Sequence, residues 1–229
     1  MKQDLNHIEN WIFDLDNTLY PTSCGLHRLM DDRIRGYVAR LLNLPDDEAH
    51  KVQKSYFRNQ GTTLSGLMAD HGTDPYHYLE DVHNFSLDTL KQAPLLADKL
   101  SALPGRKIIF TNADAPYAKR VLSALGLEGI FADIVDIHAC NYQPKPDEHA
   151  YQTLFKQTGI DPTKAIFFED MARNLGPAKQ HGMTTVWINN GSDLGDIGSD
   201  NGHIDYETDC IARWLDGAIE AMNLETETT

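Results

Sequence analysis

The chain has 229 residues, with 34 Asp and Glu against 20 Lys and Arg, giving a formal net charge of -14. Binding to nucleic acid or to anionic membranes is disfavoured, because Lys and Arg must neutralise phosphates there, and an anionic substrate has to overcome the same imbalance. An apolar fraction of 41 % buries a sizeable core at this length, in one large domain or a main domain with a smaller one inserted, and argues against disorder.

The start, MKQDLNHIENW, has neither the basic beginning nor the apolar stretch of a secretory signal. No run nears the roughly 18 to 20 apolar residues that cross a bilayer. A cytoplasmic protein is expected. Cys24, Cys140 and Cys210 are odd in number and far apart, which suggests reduced thiols in or near the core rather than a disulfide framework or a metal knuckle.

Residues 11–15 form the first of five short apolar runs; the others are 107–110, 134–137, 165–168 and 185–188. Runs of this length rich in Ile, Val and Phe suit buried parallel strands. Between the first two, residues 22–91 show helical periodicity and no convincing strand. Leu26, Met30, Ile34, Tyr37, Val38 and Leu41 fall near helical spacing, and shorter helices are predicted at 52–57, 64–69 and 76–82. This all-helical insertion is bounded by Tyr20-Pro21 and a polar stretch at 86–92, both suited to hinges, which leaves residues 1–21 and 92–229 as the core. Strands and helices then alternate. One helix is predicted after Asp114 and Pro116, through Val121, Leu122 and Leu125 to Gly126, and another after Pro146 and Asp147 to Gly159. A third follows Glu169 and Asp170 as far as Gly182. Residues 191–202 read as a surface loop, and Thr208 is the expected N-cap of a last helix. The fold class is therefore α/β, a doubly wound parallel sheet with a Rossmann-like core and an all-helical unit inserted after the first strand.

In such a sheet the ligand crevice lies at the carboxyl ends of the strands, and the chemistry-bearing residues fall there. Asp14 and Asp16, in Phe13-Asp14-Leu15-Asp16-Asn17-Thr18-Leu19, end the first strand. Thr111 and Asn112 end the second and place a hydroxyl and an amide where phosphate oxygens can be held. Lys145, between Pro144 and Pro146, places one ammonium just before a helix. Glu169 and Asp170 end the fourth strand, where an oxygen-seeking Mg²⁺ would bind. Taken singly each has an ordinary explanation: an Asx turn at Asp14 and Asp16, a helix cap at Asn112, a solvated charge at Lys145, an acidic helix start at Glu169 and Asp170. Their order and placement together carry the inference.

The series D-L-D-N-T-L-Y, F-T-N, K-P and F-E-D resembles the haloacid dehalogenase superfamily of phosphohydrolases. The insertion at 22–91 looks like the helical cap that such enzymes carry after the first strand. L-Y-P after the first motif, Ser55-Tyr56-Phe57-Arg58 leading into Gly61-Thr62-Thr63-Leu64, and Phe168-Glu169-Asp170 with Asn174 are similar to the pyrimidine 5′-nucleotidase branch, from which Gln60 departs by standing where an aromatic is expected. The resemblance implies a Mg²⁺-dependent phosphomonoesterase. Asp14 would be the nucleophile forming an aspartyl phosphate, Asp16 the general acid and then base, and Lys145 a positive charge on the transferring oxygens. Thr111 and Asn112 would complete the phosphate cradle. The metal would be held by Asp14, the Asp16 carbonyl and Asp170, with Glu169 close by. Tyr56, Arg58, Thr62 and Thr63 would contact a nucleoside, although Tyr56 is equally explained as a helix-packing aromatic.

The expected substrate is thus a small phosphorylated metabolite, a nucleoside monophosphate of the UMP or CMP type, with no nucleic-acid or membrane partner. Oligomeric state leaves no signal. The same fold also serves phosphoglycolate, a sugar phosphate or pyridoxal phosphate. A 2-haloacid dehalogenase is disfavoured because a halide leaves without needing the proton Asp16 would supply. A non-catalytic phospho-Asp module is disfavoured by that second aspartate and by the large insertion. Residues 196–207 have the length of a calcium loop but carry Asn201 where glycine is needed and Gly198 where a ligand is needed. His71, His77, Glu80 and His83 are read as solvated surface rather than a zinc site.

Overall fold

A computed structural model describes residues 5–192, 194–200 and 202–226; Asn201 of the discarded calcium loop and the first four residues lie outside the described residues. Six strands form one sheet in the order β3-β2-β1-β4-β5-β6, every neighbouring pair parallel. These are β1 (Asn10–Phe13), β2 (Arg106–Phe110), β3 (Asp133–Val135), β4 (Ala165–Glu169), β5 (Thr184–Ile188) and β6 (Tyr206–Thr208). β1 and β4 are buried throughout, as expected of central strands covered on both faces.

The pleat sorts their side chains into two cores. Trp11, Phe13, Ile109, Ile166 and Phe168 face α5 (Pro94–Ala102), α6 (Ala115–Leu125) and α9 (Ile211–Thr226). Ile12, Ile108, Phe110 and Phe167 face α7 (Glu148–Thr158) and α8 (Leu175–Gln180). Phe13 stacks on Phe168 at 4.8 Å across the β1–β4 pair. The insertion is helical throughout: α1 (Leu26–Leu42), α2 (Asp46–Gln60), α3 (Thr63–His71) and α4 (Pro75–Val82). It has its own apolar cluster, in which Tyr37, Val38, Leu67, Tyr78 and Leu79 are joined by Ile137 from the sheet side. Among the described residues no helix is long and apolar enough to cross a membrane. All three cysteines are free, and Cys140 is buried.

Strand ends differ from the sequence reading by one or two residues. β1 stops at Phe13 because the chain turns immediately: Thr18 N–H and Leu19 N–H both donate to the Leu15 carbonyl, and Asn17 sits at φ 57°. β6 is a correction. Its three residues, half-buried and exposed, carry no apolar run, yet they pair with Val186, Trp187 and Ile188 at the sheet edge. Thr208 therefore belongs to that strand rather than capping α9. Its Oγ1 accepts from Cys210 N–H in the turn that follows, and Cys210 O receives the first helical bond from Trp214 N–H.

Candidate active site

The strand order reverses between β1 and β4, so a crevice opens above their carboxyl ends. Register sets Phe13 opposite both Ile109 and Phe168, which brings the residues after each strand to one level. Asp14 N–H donates to Phe168 O at 2.9 Å, extending the ladder by one bond and fixing Asp14 beside Glu169.

Lys145 is 1 % exposed, and its ammonium donates at 2.7 Å to Asp14 Oδ1, to Glu169 Oε2 and to the Phe110 carbonyl. All three of its protons are thereby placed. Its backbone is clamped by Asn112, whose Oδ1 accepts from Lys145 N–H at 2.8 Å while Nδ2 donates to Lys145 O at 3.3 Å. The Asn112 side chain thus positions the lysine, and the second N–H of its amide takes no part in these bonds. Thr111 is buried at the end of β2, its hydroxyl accepting from Ala113 N–H at 3.0 Å.

Asp14, Glu169 and Asp170 are all buried, with carboxylate oxygens within 4.8 Å of one another. Burial and the Glu169 charge, only partly offset by Lys145, push the Asp14 carboxyl up to about 8. Asp170 is pushed well above the ordinary range by burial, then by Glu169 and Asp14. Burial alone would lower the Lys145 ammonium, but Asp14 and Glu169 outweigh it and hold it above the usual lysine range. Three buried carboxylates facing one ammonium are what a hard divalent cation with oxygen ligands stabilises, so the residues fit Mg²⁺. Both Glu169 oxygens are engaged, Oε2 by Lys145 and Oε1 by Met171 N–H at 3.1 Å, and so are those of Asp14, Oδ1 by Lys145 and Oδ2 by the Thr18 hydroxyl at 3.4 Å.

Asp16 has a separate environment. Its Oδ1 accepts from the Tyr117 hydroxyl at 3.0 Å and from the Tyr20 hydroxyl. Tyr117 stacks on His83 with centroids 4.3 Å apart, and His83 Nδ1 shares a 2.9 Å hydrogen bond with Asp114 Oδ1. Neither tyrosine was singled out in the sequence, although Tyr20 follows Asp16 by four residues in the same motif.

A cavity of about 230 Å³ runs from these residues to the helical insertion. Thr62 and Thr63 line it; Tyr56 and Arg58 do not. Tyr56 lies on the other side of α2, where its ring fills the space above Gly66 so closely that a Cβ there would stand 2.1 Å away, and its hydroxyl donates to Asp70 at 2.9 Å. Arg58 is exposed. The face of α2 that meets the cavity carries Gln53, Lys54 and Phe57, spaced three and four apart as one helical face requires. Arg173, just beyond β4, holds its guanidinium 5.0 Å above the Phe57 ring. Arg173 was not singled out in the sequence, although it stands three residues after Asp170.

The sequence model of the haloacid dehalogenase-like hydrolases matches residues 8–182, a span containing every residue of this cluster. The chain belongs to that family. It is 28 % identical over 195 residues to phosphate metabolism protein 8 of Saccharomyces cerevisiae, a match covering 77 % of this chain and 60 % of the yeast protein. It is also 28 % identical over 185 residues to the fructose-1-phosphate phosphatase YqaB of Escherichia coli, covering 76 % of this chain and 93 % of that protein. Among solved structures, the magnesium-bound HAD-hydrolase YfnB of Bacillus subtilis superposes with a TM-score of 0.59 at 16 % identity, over 93 % of this chain and 98 % of that one, a likeness of fold.

Proposed function

We propose that this member of the family is a Mg²⁺-dependent phosphomonoesterase whose substrate is a pyrimidine nucleoside monophosphate. The observation that carries the reaction is the buried Asp14–Lys145–Glu169–Asp170 cluster, with a second aspartate two residues from the first and held apart from it by tyrosines. Asp14 attacks phosphorus and forms an aspartyl phosphate, which divides one very slow hydrolysis into two steps. Lys145 keeps Asp14 oriented and places positive charge where the transferring oxygens arrive. Asp16 gives its proton to the departing alcohol and then takes one from the water that cleaves the acyl phosphate. Asp14 and Asp170, with Glu169 alongside, would hold Mg²⁺, which would supply the positive charge that lets a carboxylate approach a phosphate dianion. Residues 22–91 form the cap over this centre, and residues 1–21 with 92–229 the core.

The E. coli relative, a fructose-1-phosphate phosphatase, supports phosphate-ester chemistry and favours a sugar phosphate as the second reading. Phosphate release from UMP, CMP, purine nucleotides, fructose 1-phosphate and p-nitrophenyl phosphate, with EDTA and with restored Mg²⁺, tests both levels. Magnesium-dependent turnover led by UMP and CMP is expected. Purine or sugar phosphates in the lead remove the pyrimidine assignment, and inactivity toward every ester with Mg²⁺ removes the phosphatase.

A further inference from the structure

Gln53 on α2 is 2 % exposed and stands on the cavity wall, and its Oε1 has no hydrogen-bond partner among the described residues. Its orientation is fixed from the facing helix α1. Gln53 Nε2 donates to Asp31 Oδ1 at 2.7 Å and to the Asp31 carbonyl at 3.2 Å. Carboxylate and carbonyl oxygens only accept, so the amide nitrogen has to face Asp31 and the group cannot turn over to satisfy its own oxygen. Lys54, the next residue, holds the same Asp31 Oδ1 at 2.9 Å. Thr63 Oγ1 donates to the Gln53 carbonyl at 3.3 Å and ties this turn of α2 to α3. The cap therefore fixes an unpartnered, buried acceptor in one pose beside the cavity, with the Lys54 ammonium on the same Asp31 carboxylate.

Met30, Ile34, Phe57, Leu79 and Val82 give the cavity apolar wall, while His27, Thr62, Thr63, Tyr78 and His83 add polar groups to its lining. A flat heterocycle places its faces on apolar side chains and asks for polar partners only along one edge. Gln53 Oε1 demands an N–H there, and the Lys54 ammonium suits a neighbouring ring carbonyl.

We propose that Gln53, oriented by Asp31, determines leaving-group specificity by accepting a hydrogen bond from the N–H edge of a pyrimidine base, the ring N–H of uracil or the exocyclic amine of cytosine. Lys54 meets the adjacent carbonyl. This rests on the phosphatase reading above and adds the residue that reads the base; Asp31 is a positioning residue.

The test compares kcat/KM on UMP, on 3-methyl-UMP, which lacks the ring N–H, and on p-nitrophenyl phosphate, for the wild-type protein and Gln53→Met, all with Mg²⁺. The wild type is expected to lose roughly tenfold to a hundredfold from UMP to its methylated analogue, because the buried acceptor is left unpaired. Gln53→Met is expected to remove most of that difference and to lose more on UMP than on the aryl ester. Asp31→Asn, which offers Gln53 a donor as well as an acceptor, is expected to raise KM for UMP more than it lowers kcat. Equal wild-type rates on UMP and 3-methyl-UMP overturn the proposal, and that arm needs no variant to fold. An undiminished preference in Gln53→Met overturns it too. Turnover of p-nitrophenyl phosphate with none of either nucleotide overturns the base contact while the phosphatase stands. No turnover of any ester removes the reading beneath it.

Discussion

The hydroxyl of Tyr117 on α6 donates to Asp16 Oδ1 at 3.0 Å, joining the end of the first strand to a helix 101 residues further along the chain. Tyr20 donates to the same oxygen, so the proposed proton donor is aimed by two phenols. A proton donor matters most when the leaving group is a poor one. Tyr117→Phe is therefore expected to lower kcat on an alkyl phosphate by about tenfold, and Asp16→Asn by about a hundredfold or more. Both losses are expected to be smaller on p-nitrophenyl phosphate, whose leaving group departs without help. Equal losses on the two esters would show that these residues do not act through protonation.

Negative charge at the Asp14–Glu169–Asp170 cluster makes a second expectation about metal. A ligand that binds only the folded state stabilises it by mass action, by about 2.7 kcal/mol at a hundred times its Kd. Added Mg²⁺ should therefore raise the unfolding midpoint, and Asp170→Asn should abolish the rise. Because the Asp14 carboxyl is pushed up to about 8, it has to lose a proton for the metal to bind, and the rise is expected to grow between pH 6 and pH 8. The net charge of -14 is thus no obstacle to an anionic substrate once the acids at this point hold a cation. A midpoint indifferent to Mg²⁺ at pH 8 would remove the metal site.

Most of the sheet was legible because five strands are continuous apolar runs, and the catalytic motifs stood at their ends. β6 was illegible because a three-residue edge strand that buries only part of Tyr206, against Trp214, carries no apolar run, and only its register with Val186–Ile188 reveals it. On the cap, the sequence pointed to Tyr56 where the cavity wall has Phe57. Periodicity shows that a helix has a buried face, but not which of two buried faces meets a neighbouring helix and which meets a cavity. The partners of Asp16 and Gln53 were likewise hidden: Tyr117 and Asp31 lie on other helices, and no spacing rule connects them.

Asp114 joins the insertion to the core. Its carboxylate accepts from Tyr117 N–H at 3.2 Å as the N-cap of α6 and meets His83, the residue that ends α4. Burial would raise this carboxyl, but the hydrogen bond and charge of His83 outweigh it and hold it below the usual range. A depressed carboxyl contributes stability above its unfolded value, near 3.9, and loses it as the pH falls through the lower folded value. Asp114→Ala is expected to cost about 2 to 3 kcal/mol at pH 7, from the lost cap and the lost partner of His83. Urea unfolding at pH 7 and below pH 4 measures this, and the cost should shrink at the acidic end.

Tyr56 and Phe57 give a paired test of how α2 is oriented. Phe57 faces the cavity beneath Arg173, whereas the Tyr56 ring fills the space above Gly66. Phe57→Ala is expected to raise KM for the phosphate ester several-fold while unfolding close to the wild-type midpoint, since its ring is half-buried at a cavity wall. Tyr56→Ala should do the reverse, lowering stability by about 1 to 3 kcal/mol through lost packing between α2 and α3 while KM stays near its wild-type value. Gly66→Ala should resemble it, because the added methyl would lie 2.1 Å from the Tyr56 ring unless α3 moves. A larger KM change in Tyr56→Ala than in Phe57→Ala would mean that α2 presents the opposite face to the substrate.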